Sequence, residues 1–218
     1  MTIDSPLIQL VVAAGAGLLG WFVGLASAWL MDRLLAQDGV EPSPARRVVV
    51  REPLVQGGVA TMWTLLVLAG GLTWQVAGAA LLAVPLVQVG VTDLRYRWVY
   101  SAVAVCGLAA GVALSPAVHA ASAWWGLAGA VGGLVSMGLV ATLGRLAYGG
   151  EPMGRGDLTI AAMVGAAAGP EVLFDLGLGV ILSGLFAAGT LVARRSRTAT
   201  IPYGPGLCLG GLVSLALR

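Results

Sequence analysis

Long apolar runs separated by short polar connections make up almost the whole chain. Eight runs can be distinguished, and a membrane helix needs about 20 apolar residues, within a range of about 17–25. The pattern therefore predicts an all-α bundle of about eight transmembrane helices, forming one domain over residues 1–218. We place these spans near residues 7–31, 56–73, 75–92, 98–114, 121–147, 157–168, 171–193 and 204–217. A half-span or re-entrant segment is the alternative for the sixth and eighth runs, which are short.

The composition supports a membrane protein over a water-soluble one. Hydrophobic residues make up 58% of the chain and charged residues 10%, whereas soluble domains carry about 25% charged residues. So little polar surface cannot cover a particle in water. The segment before the first run carries Asp4 and no Arg, which is unlike a signal peptide, because those begin with positive charge.

The basic residues indicate how the spans are oriented. All 12 are Arg, and Arg concentrates in cytoplasmic loops near the ends of membrane spans. With eight spans and both termini outside, every Arg except Arg218 falls on the cytoplasmic side. If the sixth span were re-entrant, the cluster at residues 194–197 would lie outside instead. The charge pattern therefore favours eight spans.

Several other kinds of site are disfavoured by the sequence. The Arg residues form no continuous basic face, so we predict no nucleic-acid binding. Cys106 and Cys208 lie inside apolar runs without metal-ligand spacing, and we interpret both as core residues. His119 stands beside Pro116, where we expect a short connection and a loop histidine. The sequence therefore predicts neither a metal site nor a cofactor.

Glycine pairs four residues apart recur inside the apolar runs. Gly20 with Gly24 and Gly129 with Gly133 are two examples. Small residues at this spacing let membrane helices approach each other closely. We therefore expect tight helix packing at both pairs.

Two carboxylates stand at the predicted cytoplasmic edge of the membrane. Asp93 ends the third span and Asp157 begins the sixth, and an acid at that level is a candidate functional residue. Each also has a structural explanation. Asp157 could be a helix N-cap in a turn formed by Gly154 and Gly156, and Asp93 could pair with an Arg in a loop. Acting together, the two could share one proton and activate water against a peptide bond.

The residues around both aspartates resemble a known family. The segment Gly154-Arg155-Gly156-Asp157-Leu158 resembles the GxGD motif of type IV prepilin peptidases, which are bacterial intramembrane aspartic proteases. The segment at residues 92–97, TDLRYR, looks like the first aspartate segment of that family. The segment at residues 201–210, IPYGPGLCLG, is similar to the family's closing IPFGP-type segment. The resemblance covers residues 50–218 well and the first span weakly.

The resemblance implies a specific site and reaction. Asp93 and Asp157 would be the catalytic pair, with Gly154 and Gly156 in a motif loop near the substrate. The substrates would be prepilins or pseudopilins, whose basic leader stays in the cytoplasm while an apolar helix sits in the lipid bilayer. The implied enzyme is an aspartic endopeptidase of the bacterial inner membrane, with its active site facing the cytoplasm and without a cofactor.

Four features depart from the family pattern. The cytoplasmic connection at residues 32–55 is short and lacks the two Cys-x-x-Cys pairs of many bacterial members. We therefore expect no metal there and question the N-methyltransferase activity associated with such members. Thr159 stands where the family has Lys, Gln56 where it has Glu, and Val99-Tyr100 where it has Pro-Asn. We expect these changes to affect substrate choice more than the aspartate pair.

Two other function classes stay open. A small transporter coupled to cations or protons would place its carboxylates near the bilayer midplane, often on broken helices, whereas Asp93 and Asp157 lie at an edge. An inactive membrane scaffold would keep the fold without catalysis. For the peptidase, we hypothesise that Asp157 is ionised, because a helix N-terminus favours negative charge, and that Asp93 holds the shared proton.

Overall fold

The computed structural model describes residues 6–37, 53–96, 99–119, 122, 124–148, 153–194 and 203–217. Within these ranges the chain forms eight α-helices and one short 3-10 helix, without a strand. The helices are α1 (Pro6–Gln37), α2 (Pro53–Gly70), α3 (Trp74–Tyr96), α4 (Ser101–His119), α5 (Trp124–Tyr148), α6 (Arg155–Ala168), α7 (Val172–Arg194) and α8 (Gly204–Leu217). The predicted all-α membrane bundle is confirmed.

Each predicted span coincides with one helix, although the ends differ by a few residues. Helix α1 continues to Gln37 and α2 begins at Pro53. The predicted connection at residues 32–55 is therefore helical at both ends, and its middle lies outside the described residues. Among the described residues, six segments are long and apolar enough to cross a membrane, and one of them runs through α6 and α7 together. The eight crossings, the outside position of both termini and the single domain over residues 1–218 stay predictions.

The outer surface of the bundle is apolar. Large side chains such as Leu146 and Leu7 are 79% and 69% exposed, and similar residues recur along α1, α5 and α7. In water, continuous exposed apolar surface of this kind is rare in a monomer. Where such a surface faces lipid, its exposure carries no free-energy cost, because lipid tails are as apolar as leucine. The most deeply buried large side chains belong mainly to α3, α6 and α8, and include Leu86, Ile160 and Leu207.

Close helix contacts lie at both predicted glycine pairs, which confirms that expectation. A Cβ atom at Gly24 of α1 would lie 2.9 Å from the Cα of Gln56 in α2. On α5, Cβ atoms at Gly129 and Gly133 would overlap carbonyl oxygens of Gly165 and Ala161. Glycine is needed at these positions because the neighbouring backbone already occupies the space of a side chain.

The α5–α6 contact gives a stability prediction with a matched control. We expect Gly133→Leu to destabilise the protein by about 1–3 kcal/mol, because an overpacked side chain forces neighbours out of place. Gly138→Leu, on the same helix, should be tolerated, since a Cβ there has no heavy atom within 4 Å. Thermal unfolding in detergent, followed by tryptophan fluorescence, measures the difference. Equal melting temperatures for the two variants would show that α5 and α6 do not pack this closely.

Helix α6 ends at a glycine, and the chain then turns back. Gly169 has φ 61° and its N–H donates to the carbonyl oxygen of Gly165. Residues other than glycine rarely adopt this conformation. The 3-10 helix at Gly169–Glu171 follows and leads into α7. The break separates α6 from α7, although together they form one apolar stretch.

Contacts with α8 give the direction of the last three helices. Helices α7 and α8 are antiparallel, since Ser183 lies beside Gly206 whereas the Asp175 carbonyl lies beside Gly210. Helices α6 and α8 run in parallel, because the start of α8 contacts Ile160 and its middle contacts Val164, further along α6. Helices α6 and α7 therefore run in opposite directions, as separate sixth and seventh spans require.

Candidate active site at the ends of α3, α6 and α8

Asp93 lies in the last turns of α3 and is buried. Its side chain is 6% exposed, and the neighbouring Thr92 is 7% exposed. The Thr92 hydroxyl donates a hydrogen bond to the carbonyl oxygen of Val89 (3.0 Å), which satisfies it within its own helix. Placing a carboxylate in such surroundings costs free energy. The fold therefore keeps an expensive group inside the bundle near one end.

Asp157 lies in the first turn of α6, but it is not the N-cap that its sequence position suggested. Gly154 is the N-cap, with extended backbone (φ −76°, ψ 160°), and Asp157 is the third helical residue. The Gly154 N–H donates to Asp157 Oδ2 and the Asp157 N–H donates to the Gly154 carbonyl oxygen, both at 3.2 Å. The side chain thus reaches back to the N-cap, as the acid of a capping box does. The Asp157 side chain is partly buried.

Gly204, the first residue of α8, lies beside Asp93 and beside α6, the helix that carries Asp157. A Cβ atom at Gly204 would lie 3.0 Å from the Asp93 carboxyl carbon and 2.7 Å from Cδ1 of Ile160. Ile160 is three residues after Asp157, about one helical turn. Both carboxylates are also close enough to the buried Cys208 thiol to interact with it electrostatically. The structure therefore brings Asp93 and Asp157 to the same end of the bundle and close to one short segment of α8.

The importance of Gly204 was not predicted from the sequence. The missed signal is Gly204 followed directly by Pro205 at a helix start, where proline is favoured because its missing N–H is not needed. The helix start is also held from α7, since the Ser183 hydroxyl donates to the carbonyl oxygen of Tyr203 at 3.0 Å. Any side chain at Gly204 would occupy the space now filled by the Asp93 carboxylate.

The two motif glycines differ in their surroundings. A Cβ at Gly156 would lie 3.1 Å from the Cβ of Val99, in the connection between α3 and α4. A Cβ at Gly154 would meet only Oδ2 of Asp157 and the N of Gly156, at 3.8 and 4.0 Å. Gly156 therefore lets a neighbouring segment pass close to the start of α6. Gly154 is exposed and faces open space beside Asp157.

The residues that depart from the family pattern have local roles in the structure. The Thr159 hydroxyl donates to the carbonyl oxygen of Arg155 at 3.2 Å. Gln56 is 6% exposed and packs at the α1–α2 interface beside Gly24. The sequence also allowed Asp93 to pair with a nearby arginine, either Arg95 or Arg97. The side chains of both arginines lie outside the described residues.

Two sequence interpretations were wrong. Cys106 is exposed on α4 rather than buried, while Cys208 is buried as predicted. On a membrane helix the lipid-facing residues are as apolar as the core, so hydrophobicity alone cannot separate the two. His119 is the last residue of α4 rather than a loop residue, because the helix continues through Pro116. Its Nε2 donates to the carbonyl oxygen of Ala167 at 2.9 Å.

A cavity lies at the end of the bundle opposite the two aspartates. It has a volume of about 460 Å³ and is lined in part by His119, Glu171, Phe174 and Ser214. Across the described part of the chain, no group of three or more His, Cys, Asp or Glu residues could hold a metal ion.

Comparison with known proteins identifies the family. Residues 80–192, which include both aspartates, match the type IV leader peptidase family. The chain belongs to this family. The family resemblance predicted from the sequence is thereby confirmed.

Individual leader peptidases are similar over most of the chain. The prepilin leader peptidase/N-methyltransferase of Stutzerimonas stutzeri is 30% identical over 170 residues, 76% of this chain and 58% of that protein. The Pseudomonas aeruginosa protein of the same name is 31% identical over 186 residues, 83% of this chain and 63% of its own length. A type 4 prepilin-like proteins leader peptide-processing enzyme of Escherichia coli is 27% identical over 199 residues, 88% and 68%. No solved structure gives a significant match.

The comparisons bear on two further expectations. Matches to bacterial leader peptidases, and the six membrane-capable helices found in the described part of the chain, support a multi-pass bacterial membrane protein. The chain spans less than two thirds of the S. stutzeri and P. aeruginosa relatives. The names of both relatives include N-methyltransferase. This finding argues against the doubt about N-methyltransferase activity that the sequence raised.

Proposed function

We propose that this protein is an intramembrane aspartic endopeptidase that removes the basic leader from type IV prepilins or pseudopilins. The observation that carries the proposal is at Gly204, where the Asp93 carboxylate lies beside Ile160, about one helical turn after Asp157, at the end of the bundle where α3 ends and α6 and α8 begin. Two carboxylates from different helices at one end of a bundle can act on one water molecule. The relatives named as leader peptidases supply the substrate class.

The proposed chemistry needs no group other than the two carboxylates and water. One carboxylate takes a proton from water while the water oxygen attacks the carbonyl carbon of the scissile peptide. The other aspartate, protonated, donates a hydrogen bond to the carbonyl oxygen and stabilises the negative charge that develops there. As the tetrahedral intermediate collapses, the C–N bond breaks and the leaving amine takes a proton from the pair. Two close carboxylates share a proton because both cannot ionise cheaply.

We assign the charged and the protonated form within the pair from the positions of the two aspartates at helix ends. Asp157 accepts a hydrogen bond from the Gly154 N–H and lies in the first turn of α6, and both features favour its charged form. Asp93 lies near the C-terminal end of α3, where the field has the opposite sign, and is more deeply buried. The partial burial of Asp157 acts against its ionisation. We keep the assignment of the proton to Asp93 as part of the proposal, to be tested by spectroscopic observation of the carboxyl group.

The proposed orientation in the membrane concerns the end of the bundle that holds both aspartates. In the sequence, Arg residues flank the ends of the helices that carry the aspartates. By the positive-inside rule, this pattern supports a position at the cytoplasmic face of the inner membrane. A basic leader that stays in the cytoplasm would then meet the aspartates where its apolar helix enters the bilayer. The bilayer and the prepilin or pseudopilin are the proposed partners.

Reconstituted protein and a defined substrate test the proposal. The substrate is a prepilin-like peptide with a basic leader, a glycine at the cleavage site and an apolar helix, and mass spectrometry identifies the products. We expect a single cut between the leader and the apolar helix. Proton or cation flux through the vesicles without cleavage would instead favour the transporter, and neither activity would favour the scaffold.

A further inference from the structure

An apolar groove opens between α2, α3 and α8, beginning at the end of the bundle that holds Asp93. Its volume is about 410 Å³. Helices α2 and α8 both pack against α3 and contact each other much less, so α3 forms the floor and the other two form the walls. The groove is therefore a gap between two helices that share one neighbour.

The residues that line the groove form stripes along each helix. On α2 they recur at intervals of three and four residues from Leu54 to Thr61, and on α3 from Leu86 to Leu94. Side chains at this spacing lie one above the other on one helix face. The α3 segment from Leu86 to Leu94 rises about 12 Å, which is somewhat less than half of a hydrocarbon layer about 30 Å thick.

The surface of the groove suits a packed helix rather than a polar ligand. No charged side chain is present among the described residues that line it. A Cβ at Gly90 would lie 3.2 Å from the Cβ of Cys208, so α3 and α8 close tightly beneath it. A Cβ at Gly57 would have no heavy atom within 4 Å, so the α2 wall is open there. In lipid, where no hydrophobic force drives association, small residues of this kind allow helix–helix contact.

The head of the groove adjoins the aspartates. Leu94 and Pro205 line it, and they directly follow Asp93 and Gly204 in the chain. Cys208, in the α8 wall, interacts electrostatically with both carboxylates. A peptide chain held at the aspartates can therefore continue into the groove without crossing another helix.

We propose that this groove receives the apolar helix of the substrate, directly after the scissile peptide bond. The inference rests on the proposed peptidase function and adds to it the surface that holds the membrane-inserted part of the prepilin. The occupant is one apolar helix, because the described lining of the groove is uncharged, starts beside Asp93 and runs along the helices of the bundle. A lipid acyl chain is the competing occupant.

Filling the groove at Gly57 tests the proposal. With the helix-bearing substrate, we expect Gly57→Leu to raise KM about tenfold or more and to leave kcat within about twofold, as loss of uniform substrate binding does. Gly177→Leu on α7 is the matched control, since a Cβ at that exposed glycine also has no heavy atom within 4 Å. It should leave both constants at the wild-type value. If Gly57→Leu and Gly177→Leu both keep the wild-type KM and kcat, the proposal is overturned.

Photocross-linking gives a second readout that does not depend on turnover. The photoreactive residue p-benzoylphenylalanine replaces Leu209 in the groove wall, or Leu173 on α7 as the control, and these side chains are 50% and 71% exposed. Asp93→Asn in both proteins prevents cleavage. We expect the substrate helix to cross-link at position 209 and not at 173. Cross-links from position 209 to lipid alone would assign the groove to acyl chains and overturn the proposal.

The two proposals fail differently. If the wild-type protein cleaves no prepilin-like substrate, the peptidase function itself is wrong. If it cleaves the substrate while Gly57→Leu keeps the wild-type KM and position 209 gives no substrate cross-link, the peptidase function stands and the groove assignment is wrong.

Discussion

Replacing Asp93 or Asp157 by asparagine is expected to lower kcat/KM for leader removal by about 10²–10⁴-fold or more, since each carboxylate acts as an acid or base in the reaction. Asparagine keeps the size of the side chain but can neither take a proton from water nor share one. Because the pair acts as a unit, the double variant should be no slower than either single variant. Initial rates with the helix-bearing substrate measure the effect.

Glu171→Gln is the matched control for the aspartate variants. Glu171 is an exposed acid at the opposite end of the bundle, so the variant should cleave at the wild-type rate. Melting temperatures of all variants should stay close together, which separates loss of chemistry from loss of fold. An Asp93→Asn or Asp157→Asn protein that is folded and retains more than about a tenth of the wild-type rate would contradict the two-carboxylate mechanism.

Gly204→Ala is expected to lower kcat by about 10²-fold, the effect that a 1 Å misplacement of a reacting group can have. The added methyl group would overlap the Asp93 carboxylate and press on Ile160, so the carboxylate has to move. The chemistry of both aspartates is unchanged, which makes this a test of their position. Steady-state kinetics with the same substrate gives kcat and KM separately.

Gly184→Ala on α7 is the control for Gly204→Ala. It adds the same methyl group to a helical glycine, but a Cβ there has no heavy atom within 4 Å, so both constants should be unchanged. If Gly204→Ala also keeps the wild-type kcat, Asp93 does not occupy the position beside α8 that the mechanism requires.

Most of the helices could be predicted from the sequence because their apolar runs are close to the length that a bilayer requires. The ends were less predictable, since α1 continues to Gln37 through residues that look like a polar connection. Burial was least predictable. Cys106 lies in an apolar run, yet it is exposed on α4, because lipid-facing and core-facing residues of a membrane helix have the same composition.

The position of both aspartates at one end of the bundle could be predicted from span counting. The packing of α3, α6 and α8 around Gly204 could not be predicted, because it depends on which helices are neighbours. Helix α8 contacts both α3 and α6, and Gly204 provides the space for the Asp93 carboxylate. That contact joins residues more than 100 positions apart in the chain, and no local pattern encodes it. The N-cap of α6 was misplaced by three residues for a simpler reason, since both glycine and aspartate are accepted at that position.

Cross-linking between positions 93 and 157 tests the central claim most directly, since carboxylates that share one proton lie about 3 Å apart. Asp93→Cys and Asp157→Cys are combined in a protein whose native thiols are removed by Cys106→Ala and Cys208→Ala. Asp157→Cys with Glu171→Cys is the control pair, separated by roughly 20 Å along α6. Each single cysteine must first react with a monofunctional reagent.

We predict that a short bifunctional thiol reagent joins the α3 and α6 fragments of the 93–157 pair in most molecules and leaves the control pair unlinked. Fragment masses after digestion identify the product. If both thiols of the 93–157 pair react singly and are never joined, the two side chains do not meet and the proposed active site is wrong.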